Sequence, residues 1–347
     1  MSKSTVVQQG ETEARQLESL KARRLGPYLS HNPVSATQIW QWCSVMGDNN
    51  PDYLPGDNQL APPAMMQMWT MRDVNDRYAP GSTEDPPYKV FDDMKAMGYP
   101  ANVAVSYDIR FHRYLCIGER PMHYTSVVNI SAKKTTALGI GYFVTERVEY
   151  STHENGLFAE AFITYFQYQP ATATAPVEGA TAGVPGEPEI PLRSCADARD
   201  TWQPDFTTID AQTIHSGMKL PTVTIPITHR LIVAGAIATQ DFIPVHHNLP
   251  AAKAAGMPDI FMNILTTSGL VARYLTDWTG AGSRLLQLKF SLMKPNLPGD
   301  VMALTGEVTA VECEDNTSAV EVSFTGTNRL GLHTSGTAKL ALPNIQK

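Results

Sequence analysis

Asp241 and His246, five residues apart in the segment Asp241-Phe-Ile-Pro244-Val-His246, are the side chains of this sequence best placed to move protons at one centre. A carboxylate and an imidazole separated by a proline-bent loop can converge on one small volume, and imidazole changes charge near neutral pH. The same skeleton occurs once before, as Asp48-Asn-Asn-Pro51-Asp-Tyr53, with tyrosine in place of histidine. One copy keeps acid/base equipment and the other has given it up. The adjacent His247 reads as a surface or supporting residue.

The elements that must hold these loops also repeat. Thirteen residues before each aspartate stands a helix-capping residue, Ser35 and Thr228, followed by apolar runs (Ile39, Trp40, Cys43 and Ile232, Val233, Ala236) that predict helices. Further on, Arg113-x4-Gly118-Glu119 is matched by Lys294-x4-Gly299-Asp300. Three correspondences in one order point to a duplicated unit. In the second copy, spacing predicts a helix over 258–276, with Ile260, Ile264, Leu265, Val271 and Leu275 on its apolar face, then strands at 285–293, 301–313, 318–329 and 332–342. In the first, a Met-rich helix is predicted over 63–78, and residues 82–100 interrupt the pattern before strands resume at Val103. Its Met65, Met66, Met68, Trp69 and Met71 suit either a core or a wide apolar pocket.

The chain has 347 residues and 43% hydrophobic content, enough for two cores. Between the halves, 170–191 (PATATAPVEGATAGVPGEPEIP) is Ala, Thr, Pro, Gly and Glu, the composition of a mobile linker; it sets domains at 11–169 and 210–343. A net charge of −7 without dense Lys/Arg clusters argues against a nucleic-acid partner. The polar first 25 residues and the lack of a run of about twenty apolar residues predict a cytoplasmic protein with no membrane partner. Cys43, Cys116, Cys195 and Cys313 are far apart, without disulfide or zinc-ligand spacing, so no metal is expected.

Asp241-x2-Pro244-x-His246, Gly256-x-Pro258 and Lys294-x4-Gly299-Asp300 together resemble the MaoC-like hydratases, the (R)-specific enoyl-CoA hydratases of hot-dog fold. The first half resembles the non-catalytic domain of two-domain members, and the whole resembles a fused form of the family's two-subunit steroid side-chain branch, most closely around Gly256–Asn263. The resemblance implies an α+β double hot-dog fold, each domain an antiparallel sheet wrapped around a helix. It implies hydration of a bulky, steroid-like enoyl-CoA by Asp241 and His246. The thioester oxygen would be held near Gly256, Pro258, Asp259, Ile260 and Asn263, at a helix N-terminus. Typical members carry His-Gly where this chain has Phe261-Met262-Asn263.

No cofactor is implied beyond the coenzyme A of the substrate. A homodimer is expected, and aldolase docking through a carboxy-terminal zinc ribbon is not, since the chain ends soon after its last strand. Arg110, Arg113, Lys289 and Lys294 are candidates for CoA phosphates, with solvated surface charge as the simpler reading. The competing functions are hydration or dehydration of another acyl-CoA or an acyl-carrier-protein thioester, and acyl-CoA binding without catalysis.

Overall fold

A computed structural model of the chain describes residues 15–21, 24–56, 58–136, 138–170, 204–313 and 317–343. The proposed linker lies, apart from Pro170, outside the described residues. The strands are β1 (Arg24–Leu29), β2 (Ala101–Phe111), β3 (Pro121–Ile130), β4 (Lys134–Thr136), β5 (Gly139–Thr152), β6 (Gly156–Pro170), β7 (Val223–Pro226), β8 (Arg284–Leu292), β9 (Val301–Cys313), β10 (Thr317–Asn328) and β11 (Gly331–Pro343). They form one antiparallel sheet in the order β1-β3-β5-β6-β2-β8-β11-β10-β9-β7, with β4 attached to β5. Read from the two ends inward, β1 answers β7, β3 answers β9, β5 answers β10, β6 answers β11 and β2 answers β8. The duplication is thus a double hot dog whose halves join edge to edge at β2–β8, with Tyr107 opposite Phe290 and Ile109 opposite Leu288.

The repeat extends to individual hydrogen bonds. Ser35 caps the helix Ala36–Met46 and Thr228 caps His229–Ala238, each side-chain oxygen accepting a backbone N–H of the first turn. Just before each cap, Val34 donates its N–H to Glu119 and accepts from Gly118, while Ile227 donates to Asp300 and accepts from Gly299. Gly118 and Gly299 share the left-handed conformation this turn requires, at φ of 90° and 88°. Each helix ends on a left-handed residue directly before the motif aspartate, Gly47 (φ 68°) and Gln240 (φ 54°). Glycine is needed at 47, where an added Cβ would lie 2.5 Å from Arg273 Nη1.

Two helix assignments are corrected. The helix expected over 258–276 is Ile264–Thr279, because the preceding backbone is committed elsewhere: Ile260 N–H to the Asp259 side chain at 2.7 Å and Met262 N–H to Asn296 O at 3.1 Å. The helix expected over 63–78 is only two single turns, Pro63–Met65 and Met68–Thr70. Beyond them the Asp73 carboxylate accepts the N–H groups of Asn75 and Arg77 and curls the chain into a loop, the usual way a short acidic side chain competes with a helix. The interrupting segment supplies a helix of its own, Lys89–Ala96, whose Val90 and Met94 pack on Val127, Ile130, Tyr142 and Val144 of the first-half sheet. The first half therefore covers its sheet with two separate pieces where the second uses one buried helix. In the first helix the core residue is Trp42, while Trp40 is 65% exposed.

Candidate active site

The chain leaves the helix His229–Ala238 through Gln240, so that Asp241 follows a tight turn and its N–H returns to Ala236 O at 2.9 Å. Pro244 then starts a single 3-10 turn that ends on His246. Both side chains are buried, at 6% exposure each. His246 Nδ1 lies 2.8 Å from the carbonyl oxygen of Phe261. A carbonyl only accepts, so Nδ1 carries a proton, and in the neutral imidazole Nε2 presents its lone pair. That lone pair faces Asp241 Oδ2 at 3.6 Å. The gap is beyond a direct hydrogen bond and suits a polar atom held by both groups. Because Phe261 O fixes the tautomer, Asp241 is left to act on whatever lies between the two side chains.

Asn263 ties this pair to the long helix. Its Oδ1 caps the helix by accepting Thr266 N–H at 2.8 Å, while its Nδ2 donates to Asp241 Oδ2 at 3.0 Å and Thr239 Oγ1 at 2.8 Å. The N–H groups of Ile264 and Leu265, in the first turn, point out of the helix as at any helix start. Thr267 Oγ1, one turn into the helix, stands 3.1 Å from Nε2 of the buried His333, whose Nδ1 lies 2.6 Å from Lys294 O. Thr266 packs against Gly235 of the neighbouring helix, its hydroxyl buried without a partner.

The other predicted oxygen-holding residues stand elsewhere. Gly256 ends the short helix Leu249–Ala254 with φ 84°, its N–H bonded to Lys253 O. Pro258 and Asp259 form a bend, and Asp259 Oδ2 lies 3.1 Å from His229 Nε2. Ile260 is buried with its N–H bonded to Asp259. These four are outside the helix N-terminus, which Asn263 supplies. His247 is exposed, with its ring Nε2 3.1 Å from Phe242 O. Arg113 is engaged with Glu119 at 2.8 Å.

In the first half, the equivalent loop does structural work. Asp48 accepts Asn50 N–H at 3.0 Å, and Tyr53 is buried in the core. Met65, Met66 and Met68 are core residues as well, with Met71 alone of these methionines lining a hollow between the first-half sheet and the 63–88 segment. Its walls are more polar than the sequence suggested: Thr70, Tyr78, Tyr88, Thr125, Glu146 and Tyr165. Burial pushes Tyr88 up to about 12, with the charges of Glu146 and Asp241 adding to the rise. Tyr165 is raised too, by burial first and then by the charges of Tyr88, Glu146, Tyr150 and Asp241. Both tyrosines thus feel the Asp241 carboxylate of one half as well as the Glu146 carboxylate of the other. Sequence reading passed over Thr239, His333 and Glu146. For Glu146 a signal existed, since Val144, Glu146, Val148 and Tyr150 share one face of β5.

A MaoC-like domain model matches residues 210–329. Over 126 residues, 36% of this chain and 95% of the relative, the chain is 40% identical to the 3-oxo-4,17-pregnadiene-20-carboxyl-CoA hydratase beta subunit of Mycobacterium tuberculosis. Over 187 residues, 50% of this chain and 56% of the relative, it is 30% identical to the alpha subunit named for the same activity in that organism. The chain spans about half the length of that alpha subunit. Among solved structures, a MaoC-like dehydratase superposes over 94% of this chain and 99% of its own with a TM-score of 0.67 at 15% identity, a likeness of fold.

Proposed function

We propose that this chain, which belongs to the MaoC-like hydratase family, adds water across the 2,3 double bond of a bulky enoyl-CoA thioester. The observation that carries the reading is His246 Nε2 facing Asp241 Oδ2 at 3.6 Å beside the helix that Asn263 opens. Water between the two would give a proton to Nε2 while its oxygen bonds to C3. The electron pair of the double bond moves towards the thioester oxygen, where the N–H groups of the first helical turn and the helix dipole offset the developing charge. The proton held by the pair is then delivered to C2, and the atoms balance without a redox step. Asp241, held by Asn263, orients the water.

A polycyclic, steroid-like acyl group is the substrate class this reading favours. Both M. tuberculosis relatives are named for a steroid carboxyl-CoA. The first half also breaks its helix where a cavity stands beside Tyr165 and Tyr88. Apolar burial at roughly 25 cal/mol per Å² favours a large fitted ligand. Loss of the conjugated thioester absorbance tests it across a panel from crotonyl-CoA to a steroid enoyl-CoA. The steroid thioester is expected to show the higher kcat/KM, and equal or better turnover of crotonyl-CoA would replace the bulky-substrate reading with a general one.

A further inference from the structure

Glu146 is a buried carboxyl group with no partner among the described residues. It is 3% exposed, and no hydrogen bond or ion pair reaches it from any described residue. It faces the hollow lined by Tyr88 and Tyr165 and also a second hollow under the Lys89–Ala96 helix, so it stands in the wall between the two. Thr125 lines the same two spaces, and its hydroxyl is likewise buried without a partner. Strand register makes the two near neighbours: Thr125 pairs with Val148 and Val127 with Glu146, which sets Thr125 and Glu146 diagonally on one face.

Buried polar groups are nearly always satisfied, because leaving one unmade forfeits its hydration with nothing in return. Two orphans on one cavity wall are what a hydrogen-bonding ligand would complete. We propose that Glu146 and Thr125 form a subsite for a carbonyl oxygen at the end of the acyl group remote from the thioester. Two O–H donors converge there, and a ketone oxygen has two lone pairs to accept them. Burial keeps the Glu146 carboxyl protonated, raising it to about 8, so that it donates at neutral pH. The rest of the wall suits a polar tip on an apolar body. Thr70 meets His123 Nδ1 at 2.9 Å, and burial holds that imidazole neutral, near 3. Val148 and Ile163 supply apolar contact.

The subsite rests on the hydratase reading only for the identity of the ligand's other end, and the test keeps the two apart. Two steroid enoyl-CoA thioesters, identical except for a ring ketone at the far end, are compared with crotonyl-CoA in the wild type, Glu146→Gln, Glu146→Leu and Thr125→Val. Glu146→Leu is expected to lower kcat/KM for the ketone by roughly ten- to a hundredfold, mainly through KM, the size of one lost buried hydrogen bond. The deoxo thioester and crotonyl-CoA should be unchanged, and Glu146→Gln, which keeps a donor, should stay within a few-fold. Equal losses on all three substrates, or no loss on the ketone, overturns the subsite. Calorimetric binding of the saturated ketone and deoxo thioesters reads it without turnover. Ketone preference that depends on Glu146, in a protein that hydrates none of the substrates, would keep the subsite and remove the hydratase reading. Absence of that preference removes the subsite. Glu146→Met is measured in parallel should the leucine variant not fold.

Discussion

At the scale of single residues, the site divides into groups that sequence reveals and groups that only packing reveals. Asp241 and His246 could be picked out because five residues and a proline are a local matter. What each does is not local: the tautomer of His246 is set by Phe261 O, fifteen residues on. Replacing His246 with Ala or Asp241 with Asn is expected to lower hydration at least about a hundredfold, the low end for a positioned acid/base group, with the thermal midpoint near wild type. Near-normal turnover in folded His246→Ala protein would remove the mechanism. Tyr53→Phe, in the loop that lost its histidine, should leave turnover within about twofold, since Tyr53 is a core residue.

Glu146 allows a second residue-scale test, through stability. Its carboxyl, ordinarily near 4.5, is raised to about 8 in the folded chain by burial. Between those values the folded state holds a proton that the unfolded state releases, so its contribution is most favourable below about 4.5 and is lost as pH climbs towards 8. Glu146→Gln removes that titration. Its melting temperature should therefore gain on wild type as pH goes from 5 to 8, and a difference that stays flat with pH would show that Glu146 does not titrate in this range.

At the scale of elements, the informative failure is the start of the long helix. Pro258 followed by apolar residues at helical spacing is a fair N-terminal signal. It lost to contacts that spacing does not encode, chiefly Asp259 bonding its own neighbour and Asn296 taking Met262 N–H. The cap that won, Asn263, does two jobs with one amide, and two substitutions separate them. Asn263→Ala loses the cap and both Nδ2 bonds, and should cost about 1–3 kcal/mol of stability as well as activity. Asn263→Asp keeps an acceptor for Thr266 N–H but sets a carboxylate against Asp241, so kcat/KM should fall well over tenfold while most of the cap's stability remains. Activity loss that tracks stability loss in both variants would reduce Asn263 to a cap. The first-half helix failed for a similar reason, the Asp73 loop, and no periodicity count registers that one carboxylate accepting two N–H groups.

At the scale of the whole molecule, duplication was legible because loops and turns keep their residues even where strands have diverged. Which strands join the halves edge to edge was not, since strand pairing depends on which edges are left open rather than on any local pattern. β2 and β8 join the half-sheets, and Asp52–Arg284 at 2.7 Å, Gln287–Asp108 at 2.7 Å and Arg273 Nη1 to Met46 O at 2.7 Å bond across the halves. Beneath them one apolar cluster runs unbroken from Val34 through Tyr107 and Phe290 to Leu342. A junction built from a shared core and a continuous ladder should not depend on the peptide link between the halves. Cutting the chain at a protease site inserted between Pro170 and Pro204 should therefore leave one particle by sedimentation, with hydration retained, because the β2–β8 ladder and the shared core keep both halves in register. Halves that separate on cutting, or that stay together but lose turnover only for large substrates, would each locate the missing interaction: the first in the junction, the second in the alignment of the cavity with Asp241.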